Sequence, residues 1–194
     1  MELKMNLLLH ICCAPCAIYP VQALKDEGHQ VTGFFYNPNI HPFIEYRKRL
    51  DTLLNFAEGI DMPLIHSEDY PLEDFMRIVT FRETMRCDPC YHLRLNRTAR
   101  TAREKGFDGF TSTLFYSIYQ QHQNMKTIAE ALSIETDAIF YYRDFRTGWK
   151  EGIIESRNLG MYRQQYCGCL FSERERYMHG NRKQPPKKTP IGPE

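Results

Sequence analysis

Seven cysteines stand at positions 12, 13, 16, 87, 90, 167 and 169, an odd number gathered in three tight groups. That pattern opposes a secreted disulfide framework, and in a reducing compartment grouped thiols point to metal ligation or redox chemistry. His10-Ile11-Cys12-Cys13-Ala14-Pro15-Cys16 and Cys87-Asp88-Pro89-Cys90 together offer five thiolates, and a four-iron cubane needs four. A C-x-x-C spacing lets two sulfurs converge from one turn, while the vicinal Cys12 and Cys13 diverge and can reach different irons of one cluster. The same divergence is awkward for tetrahedral zinc, the main alternative, where every sulfur must aim at one atom. Helix N-termini behind these segments favour the thiolate form.

A cluster on Cys12, Cys13, Cys87 and Cys90 leaves Cys16 over. One turn from the vicinal pair, Cys16 can bind a second metal, assist the chemistry, or simply be buried. Asp144, Asp69 and His10 are the nearest expected oxygen or nitrogen donors for such a metal, and each also has an ordinary reading as a cap, turn or surface residue. Cys167-Gly168-Cys169 differs from the other groups. Its thiols are close enough to exchange between dithiol and strained disulfide, and glycine tolerates the backbone distortion this requires. The functional reading is a redox relay; the alternatives are two more ligands or inert thiols.

Aromatic residues gather near the same segments. Tyr116, Tyr119 and Trp149 have polar neighbours and are expected to be exposed, where they can stack an unpaired base. Phe115, Tyr141, Tyr142 and Phe145 are expected in the core. Between Arg77 and Gly106, eight basic residues face three acidic ones. Within that stretch Arg97, Arg100 and Arg103 fall on the polar side of a helix, either as a phosphate-binding face or as a solvated one.

These residues need a scaffold, and 194 residues with 42% hydrophobic and 25% charged content suffice for one globular domain. No apolar run approaches the length of a membrane span, the start of the chain does not read as a signal peptide, and the expected compartment is the cytoplasm. The net charge of +1 is uninformative, but the basic, proline-rich stretch 179–194 reads as a tail without packed structure after a single domain over 1–178. Strands are expected at Met5–Ile11, Gln30–Tyr36, Pro63–His66, Gly109–Phe115 and Ala138–Tyr142. Helices are expected between them, after Cys90 to Gly106, and at Ile153–Tyr162. Such alternation implies a Rossmann-like, doubly wound parallel sheet of about five strands, with the metal site at its C-terminal strand edge. No Walker A loop, G-x-G-x-x-G or H-E-x-x-H is present.

Four motifs occur in order: His10 to Cys16, Phe35-Tyr36-Asn37-Pro38-Asn39-Ile40-His41-Pro42, Arg86-Cys87-Asp88-Pro89-Cys90-Tyr91, and Tyr162-Arg163-Gln164-Gln165-Tyr166-Cys167-Gly168-Cys169. Together they resemble the cobalamin-independent, QueH-type epoxyqueuosine reductases from about Leu7 to Tyr177. The resemblance implies reduction of epoxyqueuosine to queuosine in the anticodon loop of tRNA. It implies a [4Fe-4S] cluster on Cys12, Cys13, Cys87 and Cys90 and a redox-active pair at Cys167 and Cys169, with an external electron donor that the sequence does not identify. An additional iron near Cys16 and Asp144 would fit the same expectation. A relation to the adenine-nucleotide alpha-hydrolase fold is also implied, although that group's S-G-G-x-D-S phosphate loop is absent and His10 to Cys16 stands in its place. Two rival readings are a tRNA sulfur-transfer enzyme on the same fold and a non-catalytic, zinc-stabilised RNA-binding module.

Overall fold

The computed structural model describes residues 4–67 and 69–180. Strands β1 (Asn6–His10), β2 (Gln30–Phe35), β3 (Leu64–His66), β4 (Gly109–Ser112) and β5 (Ile139–Phe140) form one sheet in the order β3-β2-β1-β4-β5. Every neighbouring pair is parallel. Parallel neighbours need crossovers, and helices supply them. Helix α1 (Ala14–Asp26) joins β1 to β2 and α2 (Phe43–Gly59) joins β2 to β3. The route from β3 to β4 holds α3 (Leu72–Val79) and α4 (Cys87–Glu104), and α5 (His122–Thr136) leads to β5. After the sheet come α6 (Trp149–Asn158) and α7 (Leu170–Gly180).

The central strand explains the arrangement. Leu7, Leu8 and Leu9 are all fully buried, so both faces of β1 are covered, which is why its sequence is a continuous apolar run rather than an alternation. The chain moves outward from β1 through β2 and β3, then returns to its other side with β4 and β5. The connections after β1 and β4 therefore depart in opposite directions, and a crevice opens beyond their carboxyl ends. Residues 11–13 and 113–116 lie there.

All five expected strands form, with shifted ends. The fourth stops at Ser112 because that residue's Oγ accepts the Leu114 N–H at 3.1 Å and starts a 3-10 turn over Thr113–Tyr116. The fifth keeps only two paired residues, as an edge strand. The helix expected after Cys90 begins at Cys87 instead. Pro89 falls in its first turn, where its missing N–H has no intrahelical partner to lose. The helix after the sheet spans Trp149–Asn158 rather than Ile153–Tyr162, and Gly160, at φ +60°, turns the chain out of it. The stretch after Gly180, including the basic residues of the expected tail, lies outside the described residues.

Sheet packing leaves no room for a side chain at Gly109, where a Cβ would lie 2.7 Å from the carbonyl oxygen of Ile139. Gly59, at the end of α2, meets nothing within 4 Å. Gly109→Ala is expected to cost about 1–3 kcal/mol through forced backbone movement. Gly59→Ala should gain about 0.5–1 kcal/mol. Urea midpoints of the two variants at unchanged m-value check the pair; equal midpoints would contradict the sheet register at β4–β5.

Candidate metal centre

Strand β1 delivers its carboxyl end to the crevice, and the following residues turn into α1 with Cys13 at the N-cap in extended conformation. The Cys12 N–H donates to Thr113 Oγ1 at 3.2 Å, which ties this turn to the segment after β4. Cys12 and Cys13 Sγ are 3.8 Å apart, and with Cys16 Sγ they form a group in which all sulfurs lie within 4.8 Å of one another. Hydrogen bonds from Cys13 and then Cys16 hold the Cys12 thiol well below its usual pKa. Burial raises that of Cys13, and the hydrogen bonds to Cys12 and Cys13 raise that of Cys16. Gln164 adds its Nε2, 2.8 Å from Cys13 Sγ and 3.4 Å from Cys16 Sγ.

A second group faces the first. Cys87 and Cys90 occupy the first turn of α4, and Cys90 packs with Cys169 against Phe75 and Val79. Burial raises the pKa of both α4 thiols. Cys167 and Cys169 Sγ are 3.7 Å apart; Cys167 reaches solvent and Cys169 is buried. The hydrogen bond from Cys167 is the main cause of a Cys169 pKa lowered to about 5, helped by the Ser172 N–H and hydroxyl and by the Arg86 guanidinium. Cys12, Cys16, Cys87, Cys167 and Cys169 all line one cavity of about 650 Å³. Its donors are soft sulfurs, a set that suits iron–sulfur clusters or zinc rather than magnesium or calcium. All seven cysteines are free thiols.

The segment carrying Cys167 and Cys169 is held from the Asn37–Pro42 loop and α2. Arg49, 1% exposed, donates from its Nη atoms to the carbonyls of Cys167 (3.1 Å) and Tyr166 (3.0 Å) while Glu45 neutralises it at 2.7 Å. The His41 N–H donates to the Gly168 carbonyl at 2.8 Å, and the Tyr166 hydroxyl to the His41 carbonyl. Gly168 sits at φ +124°, and a Cβ there would lie 2.8 Å from Ile40 Cγ1. No other residue fits this turn.

The opposite wall of the cavity is aromatic. Tyr116, Tyr119 and Trp149 line it, with ring centroids 5.0 Å apart for Tyr116–Trp149 and 5.7 Å for Tyr119–Trp149. Tyr119 is 82% exposed as expected and Trp149 is half-buried. Tyr116, expected to be exposed, is 2% exposed and donates its hydroxyl to the Trp149 carbonyl at 3.1 Å, so it supports the wall from behind.

Other expected site residues stand elsewhere. Asp144 caps a 3-10 turn and is bound by Arg146 through Nε and Nη2 at 2.8 and 2.6 Å, which holds its carboxyl at a pKa of about 2; it does not line the cavity. His10 has both ring nitrogens engaged, with Ser112 Oγ at 2.9 Å and the Tyr36 carbonyl at 3.1 Å. Asp69 lies outside the cavity lining as well. Arg100 is paired with Glu135 and Arg103 with Asp137, both across to the α5 side, and the Arg97 guanidinium lies 5.9 Å from the Tyr36 ring. None of the three arginines lines the cavity. Arg49, Arg94 and Gln164 also belong to the site, although the sequence reading assigns none of them a role. Arg49 and Arg94 had a signal: each interrupts the apolar stripe of its helix, between Tyr46 and Leu50 and between Tyr91 and Leu95.

A family model described as epoxyqueuosine reductase QueH matches residues 7–175. The chain belongs to this family. Among curated relatives named epoxyqueuosine reductase QueH, that of Dehalococcoides mccartyi is 39% identical over 172 residues, covering 89% of this chain and 94% of its own. The Thermotoga maritima relative is 33% identical over 181 residues, covering 88% and 92%, and that of Haemophilus influenzae 33% over 178 residues, covering 88% and 72%. All four motifs that carried the resemblance fall inside the matched span.

The loop at this site carries a pH-sensitive residue. His41 is buried, its Nδ1 contacts the Tyr70 hydroxyl at 2.5 Å, and its Nε2 has no partner among the described residues. Burial lowers its pKa to about 4, against about 6.5 in the unfolded chain. The unfolded state therefore takes up the proton first. This contribution to stability is complete above about pH 6.5 and is lost as pH falls towards 4. Unfolding free energies measured across that window should fall as pH is lowered, and less steeply in His41→Gln; an unchanged slope would contradict the assignment.

Proposed function

We propose that this protein is an epoxyqueuosine reductase acting on tRNA. The observation that carries the reading is the ring of thiols around one cavity at the carboxyl edge of the sheet, in a chain of this family. Removing the epoxide oxygen converts the epoxide to an alkene and consumes two electrons and two protons, with water as the other product. A dithiol that closes to a disulfide supplies that number of each. We assign this part to Cys167 and Cys169, with an external reductant reopening the disulfide. Their sulfurs are neighbours, the Cys169 thiol is the acidified one, and Gly168 gives the intervening backbone its freedom.

The remaining thiols suit a [4Fe-4S] cluster, with Cys12, Cys13, Cys87 and Cys90 as ligands. Bound there, the cluster would pass single electrons and present an iron as Lewis acid to the epoxide oxygen. Cys16, in the same compact group as Cys12 and Cys13 and also on the cavity wall, is the thiol left for an additional iron or for the reaction itself. Tyr119 and Trp149 offer faces on which a modified base from the anticodon loop can stack. Arg97, Arg100 and Arg103 are too far engaged with their own partners to serve as the first choice of phosphate contacts. Sulfur transfer and a zinc-stabilised RNA module are the weaker readings, the former for want of an ATP phosphate loop and both against the names of the relatives.

Protein isolated without oxygen is expected to be brown and to contain iron and acid-labile sulfide. Serine at Cys12, Cys13, Cys87 or Cys90 should lower both, while Cys16→Ser should retain them. Stoichiometric zinc without sulfide would refute the cluster.

The Cys167→Ser/Cys169→Ser protein should keep its iron and its affinity for tRNA and lose turnover with reductant. Lost iron would make the pair ligands, and undiminished turnover would remove them from the reaction altogether.

A further inference from the structure

Five arginines line the cavity. Arg176 is exposed and Arg163 half-buried, and of the other three, two have carboxylate partners. Arg49 is neutralised by Glu45 at 2.7 Å, and Arg86 by Glu175, with both carboxylate oxygens at 2.6 Å. Arg94 is 4% exposed and, among the described residues, no carboxylate lies within ion-pair distance of it. Its Nε donates to the Cys90 carbonyl at 3.2 Å, one turn back along α4, and the Tyr91 ring lies 5.9 Å from the guanidinium. A cation buried without an anion is costly, and arginine cannot escape by losing its proton. The negative charge available to it is on sulfur. Arg94 lines the cavity together with Cys12, Cys87 and Cys167, one from each of the three sequence groups, and it acts electrostatically on Cys90, Cys12 and Cys167.

We propose that Arg94 is the permanent counter-charge of the thiolate centre, positioned between its cysteine groups, and that it raises the reduction potential of the metal group held there. The proposal rests on the cluster reading above. Reduction adds one electron to a cluster whose thiolate ligands are already anionic, so an adjacent fixed cation favours the reduced state. The counter-charge that Arg94 supplies is itself independent of pH, because a guanidinium does not lose its proton. It is a positioning residue in this role, acting through the cluster rather than on the substrate.

The test compares wild type, Arg94→Met and Arg94→Lys, each isolated without oxygen, assayed for iron and sulfide, and titrated with dithionite and mediators while the cluster spectrum is followed. Arg94→Met, which keeps the aliphatic stem and removes the charge, should make cluster reduction at least tenfold less favourable, a shift of about 59 mV to lower potential for one electron. Arg94→Lys should recover most of that shift. If Arg94→Met cannot hold the cluster but Arg94→Lys can, the charge role stands. Loss of the cluster from both variants would make Arg94 a packing residue and overturn the proposal. An unshifted potential in a cluster-bearing Arg94→Met protein overturns it too, leaving the cluster reading intact. Wild-type protein without iron and sulfide overturns both.

Discussion

A guanidinium buried under helix α2 determines where the C-terminal cysteine pair sits. Arg49 is ion-paired to Glu45 one turn away and spends its remaining donors on two carbonyls 117 and 118 residues further along the chain. Glu45 in turn accepts the Tyr162 hydroxyl, so a single buried pair grips the segment 162–167 at both ends. Losing one partner of such a pair typically costs about 3–5 kcal/mol, because the other charge is left buried alone. The loop that bears Cys167 and Cys169 has no regular secondary structure of its own, and without this clamp nothing on the sheet would direct it to the cavity. The Asn37–Pro42 loop completes the grip, with Asn37 Nδ2 donating to the Ile11 carbonyl at 2.8 Å beside the first cysteine group.

The parallel sheet supplies the rest of the geometry. A crevice beyond β1 and β4 is a consequence of strand order, and the first cysteine group is the direct continuation of the central strand. Cys13 and Cys16 sit at the N-terminal end of α1, and Cys87 and Cys90 at that of α4, where unpaired backbone N–H groups favour anions. Folds of this type commonly use such a position for phosphate. In this protein cysteine sulfurs occupy it.

Most of the fold was legible because its signals are local. Apolar runs, helical periodicity and glycine or proline stops are written within a few residues, and parallel pairing follows from the alternation. Strand ends were less legible: nothing in Gly109–Phe115 announces that the Ser112 hydroxyl will cap a turn. Part of the candidate site was also legible, since cysteine spacing is itself a local signal. The grouping of Cys16 with Cys12 and Cys13 depends on the direction in which three side chains leave a helix start, and that is fixed by packing. Arg100 and Arg103 found partners on an element more than thirty residues away. Asp144 is different, because Arg146 stands two residues off and its engagement there could have been read from the sequence.

The two sides of the cavity are rigid for different reasons, and the difference matches the work proposed for each. The sulfur side is fixed by charge, through Arg49, Arg86 and Arg94. The aromatic side is fixed by the absence of side chains behind it. A Cβ at Gly152 would lie 2.3 Å from Tyr116 Oη, and one at Gly148 2.1 Å from the Tyr19 ring. These glycines let α6 and the turn before it close onto Tyr116 and Tyr19, which brings Trp149 against Tyr116 and leaves Tyr119 outermost. A stacking surface tolerates many bases because every base has a π-face, so this wall by itself selects little. Under the proposed function, discrimination then comes from what the base presents to the sulfur side, where the oxygen to be removed meets the thiols. On this arrangement, binding and chemical selectivity reside on opposite walls, and a substitution on one should leave the other's contribution measurable.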